Sequence, residues 1–217
     1  IYTGEDTLSL HDALPISMIV GSVIAIAQRD VKRMLAYSSI AHAGFLLTGV
    51  LALSQEGLEA SLFYLATYGF STLGAFALVT LVRDSSGEVT DLNRWVGLAK
   101  RSPGVALLFA TFLLSFAGIP LTAGFIGKFT IFTAAYDSGN IAVVVAGVLS
   151  SAIAAFFYIR VVVMMFFTDA QDDTVSVTIP SLYTNLTIWI AAIATVILGV
   201  FPTPVLDAIA SLAVFVR

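Results

Sequence analysis

Apolar residues in this chain come in long blocks, not in the alternation of a half-buried strand or the narrow stripe of a surface helix. From Met18 onward these blocks recur between short polar connections. A helical bilayer crossing needs about 20 such residues at 1.5 Å rise each. The pattern predicts crossings over about 33–53, 58–82, 102–118, 120–136, 141–167 and 186–212, with a remnant at 18–28 too short to cross by itself. The fold class is all-α: a polytopic transmembrane bundle of about six helices plus the remnant. One stretch is interrupted. Between Gly118 and Phe129, Pro120 removes a backbone donor and Gly118, Gly124 and Gly127 loosen the helix, so a broken helix is expected there.

Residues 1–17, IYTGEDTLSLHDALPIS, differ from everything after them and lack the order of a secretory signal. They resemble in-frame translation of a sequencing adapter. They are set apart as a non-native or disordered leader, with a short native extramembrane segment as the alternative, and His11 is given no weight. Residues 18–217 form the transmembrane part.

Composition sharpens the picture. The 217 residues are 59% hydrophobic and 11% charged, against roughly 45–50% and 25% in soluble domains. Lipid must cover much of such a surface. The formal charge of -4 argues against a nucleic-acid partner, which needs a basic face. With no cysteine and two histidines, the chain cannot build a thiolate metal site or an iron–sulfur cluster, and a bis-histidine haem is improbable. No Walker or Rossmann pattern, carboxylate pair or Ser-His-Asp set stands among the inner residues.

Loop charges give a threading by the positive-inside rule. Six passes put Arg29, Lys32, Arg33, Arg83, Arg94, Lys100, Arg101 and Arg217 on one face. The other face receives Gln55, Glu56, Glu59, the turn near Gly118, and segment 168–185 with Asp169, Asp172 and Asp173. Asp207, after Pro202 and Pro204, falls at the edge of the last helix.

Few ionisable groups remain at membrane depth. Lys128 lies in the broken segment, where a charged lysine costs about 2.5–3.5 kcal/mol on insertion scales and so should face inward. Two readings stand: a proton-relay group beside the break, or a structural hydrogen bond to its freed carbonyls. His42 shares a helical face with Ser38 and Ser39, and an imidazole can donate at one nitrogen while accepting at the other. It is either a link in a proton wire or an interhelical hydrogen bond. Lys32 belongs to an interfacial charge cluster or points into the bundle. Arg160 either snorkels or pairs with a carboxylate of a neighbouring helix or subunit. Tyr64, Tyr68, Ser71 and Thr72 form a polar stripe that lines a hydrated channel or glues helices together.

The run from Gln28 to Gly44, QRDVKRMLAYSSIAHAG, resembles the signature of the antiporter-like membrane subunits of respiratory complex I. Gly118 to Phe129 resembles that family's discontinuous C-terminal helix, and Phe63 to Phe70 and Leu73 to Phe76 are also similar to it. Lysine on the break, and Tyr68 where M-type chains tend to carry histidine, place the likeness with the N-type branch. The resemblance implies a proton-translocating subunit of NADH:quinone oxidoreductase, in which Lys128 and His42 lie on a central hydrated axis. Lys32 matches a frequent basic position, and Ser38, Tyr68 and Arg160 remain secondary candidates. It implies no cofactor in this chain, with NADH, FMN, iron–sulfur clusters and quinone held by partner subunits. The setting is a bacterial plasma membrane, or else a mitochondrial or plastid one. It further implies that 18–217 is the family's C-terminal part. The family's glutamate–lysine pair and first broken helix then lie outside this sequence. The alternatives are a subunit of a cation/proton antiporter or membrane-bound hydrogenase, and a structural membrane subunit without transport of its own.

Overall fold

Local signals start the helices where the chain leaves the membrane. The Asp30 carboxylate accepts from the Arg33 amide, and the Ser54 hydroxyl accepts from the Gly57 amide, so each satisfies a donor that the first turn leaves free. The computed structural model describes residues 10–169 and 175–212. Its helices are α1 (Leu10–Ile26), α2 (Val31–Leu51), α3 (Gln55–Val79), α4 (Leu98–Arg101), α5 (Pro103–Ala117), α6 (Ala123–Asp137), α7 (Ile141–Phe167), α8 (Leu182–Val200) and α9 (Thr203–Leu212). Helix α1 begins before Met18 and takes in residues 10–17; Leu14 is buried with Met18 against α2.

Among the described residues, α2, α3, α7 and α8 are long and apolar enough to cross a membrane. The all-α transmembrane bundle expected from the sequence is present. Helices α5 and α6 have 15 residues each and reach only about 22 Å, short of the roughly 30 Å hydrocarbon core. They succeed as two halves of one crossing. Their partners run along α3 from its C-terminal to its N-terminal end: Phe112 packs on Gly74, Gly127 on Tyr64, and Ala134 and Asp137 share a cavity with Glu56 and Ala60.

This corrects the threading. Because the break at 118–122 lies inside one crossing, it is not a turn on the far face, and α7 returns to the side of the basic loops. There Lys100 forms an ion pair with Asp169, and Val82 pairs with Val177 in a small antiparallel sheet of β1 (Val82–Asp84), β2 (Gly87–Glu88) and β3 (Ser176–Val177). Asp169 and residues 175–178 therefore lie with Arg83, Arg94 and Lys100, not opposite them. Asp172, Asp173 and Arg217 fall outside the described residues. A second correction concerns 186–212, which is two helices: Pro202 lacks the amide that would continue α8, and the chain restarts as α9, whose described residues include none that is buried. Asp207 is exposed, as expected.

The basic face is tied by local bonds. The Trp95 indole is fully buried and donates to the Val89 carbonyl at 2.8 Å. Arg94 donates to Asp84 at 2.5 Å, and this bond, with the Ser86 amide, holds the Asp84 carboxyl below the ordinary carboxylate range.

Candidate functional site: a buried lysine and histidine at the helix break

Helix α5 ends at Ala117 because Gly118 takes a left-handed conformation, φ 77°, which a residue without Cβ adopts at little cost. Its amide bonds the Leu114 and Ser115 carbonyls. The next carbonyl, that of Phe116, is left for another donor. The chain turns back into α6, whose Gly124 lies so close to α5 that a Cβ there would overlap the Ser115 carbonyl. The Gly124 amide donates to the Ser115 hydroxyl at 3.2 Å.

This close approach places Lys128, one turn into α6, beside the end of α5. Its side chain is 4% exposed, and Nζ donates to the Phe116 carbonyl at 2.7 Å and to Ser151 Oγ of α7 at 2.9 Å. Nζ also lies 4.9 Å from the centre of the Phe45 ring, within cation–π range. A cavity of about 310 Å³ adjoins it, bounded by Gly118, Phe125, Phe129, Phe132, Val148 and Ser151 among others.

His42 is the other buried basic group among the described residues, 1% exposed on α2. Its Nδ1 lies 2.5 Å from the Tyr64 hydroxyl and its Nε2 3.3 Å from the Tyr158 hydroxyl. A neutral imidazole fits both, donating from one nitrogen and accepting at the other. The ring stacks on Tyr68 at 4.5 Å between centres and meets the edges of Phe45 and Phe116. Lys128 and His42 thus flank the same two phenylalanines: the lysine holds Phe116 by its carbonyl and faces the Phe45 ring, and the histidine touches both rings.

The structure gathers some of the sequence candidates and disperses others. Tyr68 joins the cluster and donates to Ser39 Oγ at 2.8 Å. Ser38 turns back to its own helix, donating to the Leu35 carbonyl at 2.7 Å. Ser71 continues the α3 stripe away from the site, 3.0 Å from Thr195 of α8 and 3.4 Å from Ser115. Lys32 is half-exposed at the basic face in an ion pair with Glu88. Arg160 lies on the outer side of α7, exposed and without a hydrogen-bond or ion-pair partner among the described residues. Sequence reasoning missed Ser151 and Tyr158. Their spacing of seven puts two polar groups on one face of a mostly apolar helix, which was an available signal.

Among the described residues no group of His, Asp or Glu is placed to hold a metal. What the arrangement can do is hold and exchange protons at one amine, one imidazole and the hydroxyls around them.

Comparison with known proteins agrees with this architecture. Residues 13–154 match the family described as NADH:quinone oxidoreductase/Mrp antiporter, TM. The NADH-quinone oxidoreductase subunit N of Rhodococcus opacus is 57% identical over 93% of this chain and 37% of its own length. That of Salinispora arenicola is 54% identical over 93% of this chain and 39% of its own length. The chain spans a little over a third of the length of these relatives. Among solved structures, a chain of respiratory complex I from Thermus thermophilus with bound aureothin superposes with a TM-score of 0.82 at 31% identity, covering 94% of this chain and 45% of that one. A chain of the Mrp complex from Dietzia sp. DQ12-45-1b, at TM-score 0.79 and 22% identity over 95% of this chain and 46% of that one, shows the shared fold alone.

Proposed function

This chain belongs to the NADH:quinone oxidoreductase/Mrp antiporter transmembrane family, and from that membership we propose that it moves protons across a membrane within a NADH:quinone oxidoreductase. The observation that supports this reading best is the pair Lys128 and His42. Two basic groups are buried in an apolar bundle, each hydrogen-bonded to neutral partners, and among the described residues no carboxylate is bonded to either. Burial of such groups is costly and characteristic of ion pathways.

In this proposal Lys128 takes and gives a proton at Nζ. Its ammonium is held by the Phe116 carbonyl and Ser151 hydroxyl; on losing a proton the amine can instead accept from that hydroxyl. His42 passes protons between the Tyr64 and Tyr158 hydroxyls by exchanging the donor and acceptor roles of its two nitrogens. The rings of Phe45 and Phe116 stand between the two groups, so passage from lysine to histidine requires water to enter or the rings to turn. That gives the site a closed arrangement, opened by movement of α5 against α6.

NADH, FMN, iron–sulfur clusters and quinone belong in this reading to partner subunits. Other membrane subunits of the complex cover part of the apolar surface, and the setting is a bacterial plasma membrane. The test is proton translocation per NADH oxidised, measured in sealed vesicles carrying the intact complex with Lys128→Met. Translocation should fall by about tenfold or more while the complex still assembles. Full translocation by that variant would overturn the assignment.

A further inference from the structure

The cavity beside Lys128 has a shape that proton exchange does not require. It holds about 310 Å³ and runs from the buried Lys128 and Ser151 out to Phe129 and Val148. Those two are 61% and 52% exposed, so among the described residues its mouth is open between α6 and α7. The inner end carries the Lys128 amine and the Ser151 hydroxyl. The walls are apolar, with three phenylalanines, and among the described residues no acidic one lines the cavity. Both acceptors on Nζ are neutral, the Phe116 carbonyl and the Ser151 hydroxyl, and an ammonium has three donors.

We propose that this cavity is a binding site for a fatty acid that enters sideways from the bilayer and sets its carboxylate against Lys128. The amine at the inner end selects an acid, since proton transfer between them leaves an ammonium–carboxylate pair. The aromatic walls select an acyl chain over a hydrated ion. At about 30 Å³ for each water-sized group, the space takes roughly ten heavy atoms: the carboxyl and the first part of a chain, whose remainder lies along Phe129 and Val148 toward lipid. A carboxylic acid has a further advantage over phosphate or sulfate esters, because it sheds its charge on protonation and crosses the apolar mouth as a neutral molecule. Inside, the acid O–H bond breaks and its proton goes to a neutral Lys128 amine, forming an N–H bond and leaving an ammonium–carboxylate pair. Acid and amine account for every atom and charge in this step.

The binding rests on the cavity and not on proton translocation, so it is tested by binding alone. The intact complex in lipid nanodiscs is irradiated with decanoic acid bearing a diazirine at its terminal carbon, and the labelled residues are read by mass spectrometry. Saturable labelling is expected at Phe129, Val148 or Ala152. Excess decanoic acid should reduce it about tenfold, while decanol and decyltrimethylammonium leave it unchanged. Ala152→Phe, which fills the mouth, should reduce it similarly, and the wild-type competition decides the matter should that variant fail to assemble. Labelling that does not saturate, that decanol suppresses equally, or that falls evenly on lipid-facing residues such as Trp189 would overturn the proposal. Failure here leaves the proton-translocating assignment untouched, and failure of that assignment leaves the labelling result standing.

Discussion

Lys128 Nζ donates to the Phe116 carbonyl at 2.7 Å across the break between α5 and α6, so the residue that carries the buried charge also supplies the hydrogen bond that the end of α5 lacks. The same ammonium reaches Ser151 on α7. Ser151→Ala removes one of two acceptors, and a hydrogen bond to a charged group contributes about 1.5–3 kcal/mol. Proton translocation by the intact complex should slow roughly tenfold. Ser151→Thr keeps the hydroxyl and should restore most of it. Equal loss in both variants would mean that packing, not the hydroxyl, is what matters at this position.

The two contacts of His42 differ in length, and their removal should differ in effect. Tyr64→Phe takes away the contact at 2.5 Å and Tyr158→Phe the contact at 3.3 Å. Each leaves a buried ring nitrogen without a partner, at a cost of about 1–3 kcal/mol. The Tyr64 variant should show the larger loss of translocation and of thermal stability in detergent. The reverse order, measured on both variants side by side, would contradict the geometry.

Gly124 tests the closeness of the two half-helices. A side chain there meets the Ser115 backbone carbonyl, which cannot move without dismantling the end of α5. Gly124→Val should destabilise the assembled subunit by about 3 kcal/mol or more, at or above the upper range for overpacking. Reduced recovery of assembled complex on native gels is the measurement. Gly69→Ala, which has open space around its position, should assemble normally.

The Asp84 carboxyl is held below its ordinary value of 3.8 by the Arg94 guanidinium and the Ser86 amide. A depressed carboxylate pKa contributes stability that is present above the unfolded value and disappears as pH falls through the folded one. The β1–β2 hairpin should therefore stay closed at neutral pH and loosen only below about pH 3.8. In a Trp189→Phe background, the emission of the buried Trp95 reports this as a red shift on acidification. Asp84→Asn should show the shift already at neutral pH and no further acid step.

Fold class, the break and both buried ionisable groups were legible in the sequence because each rests on residue chemistry that lipid enforces: long apolar blocks, Pro120 among glycines, and charges too costly to face hydrocarbon. Which face each loop occupies was not. Hydropathy scores 102–118 and 120–136 as two passes, and only contacts along α3, from Gly74 to Glu56, reveal a single divided one. The hydroxyls around His42 were half legible. Tyr64 and Tyr68 stand out as a stripe on one helix, whereas Tyr158 lies 116 positions along the chain from His42, brought there by packing of α7 that no local pattern encodes. The small sheet was invisible because strands of two or three residues carry no periodicity.

The divided crossing also has an electrical side. Peptide dipoles in α5 add to a partial negative charge of about half an electron at its C-terminal end, and that end lies at the Phe116 carbonyl, where Lys128 sits. The cation and the helix pole neutralise each other only while they stay together. Drawing the lysine away would leave the pole bare inside an apolar bundle, and tilting α5 would strand the lysine. Under the proposed function, charge movement and helix movement at this break would be one event, and a push delivered to α5 would be felt at Lys128 as a change in field.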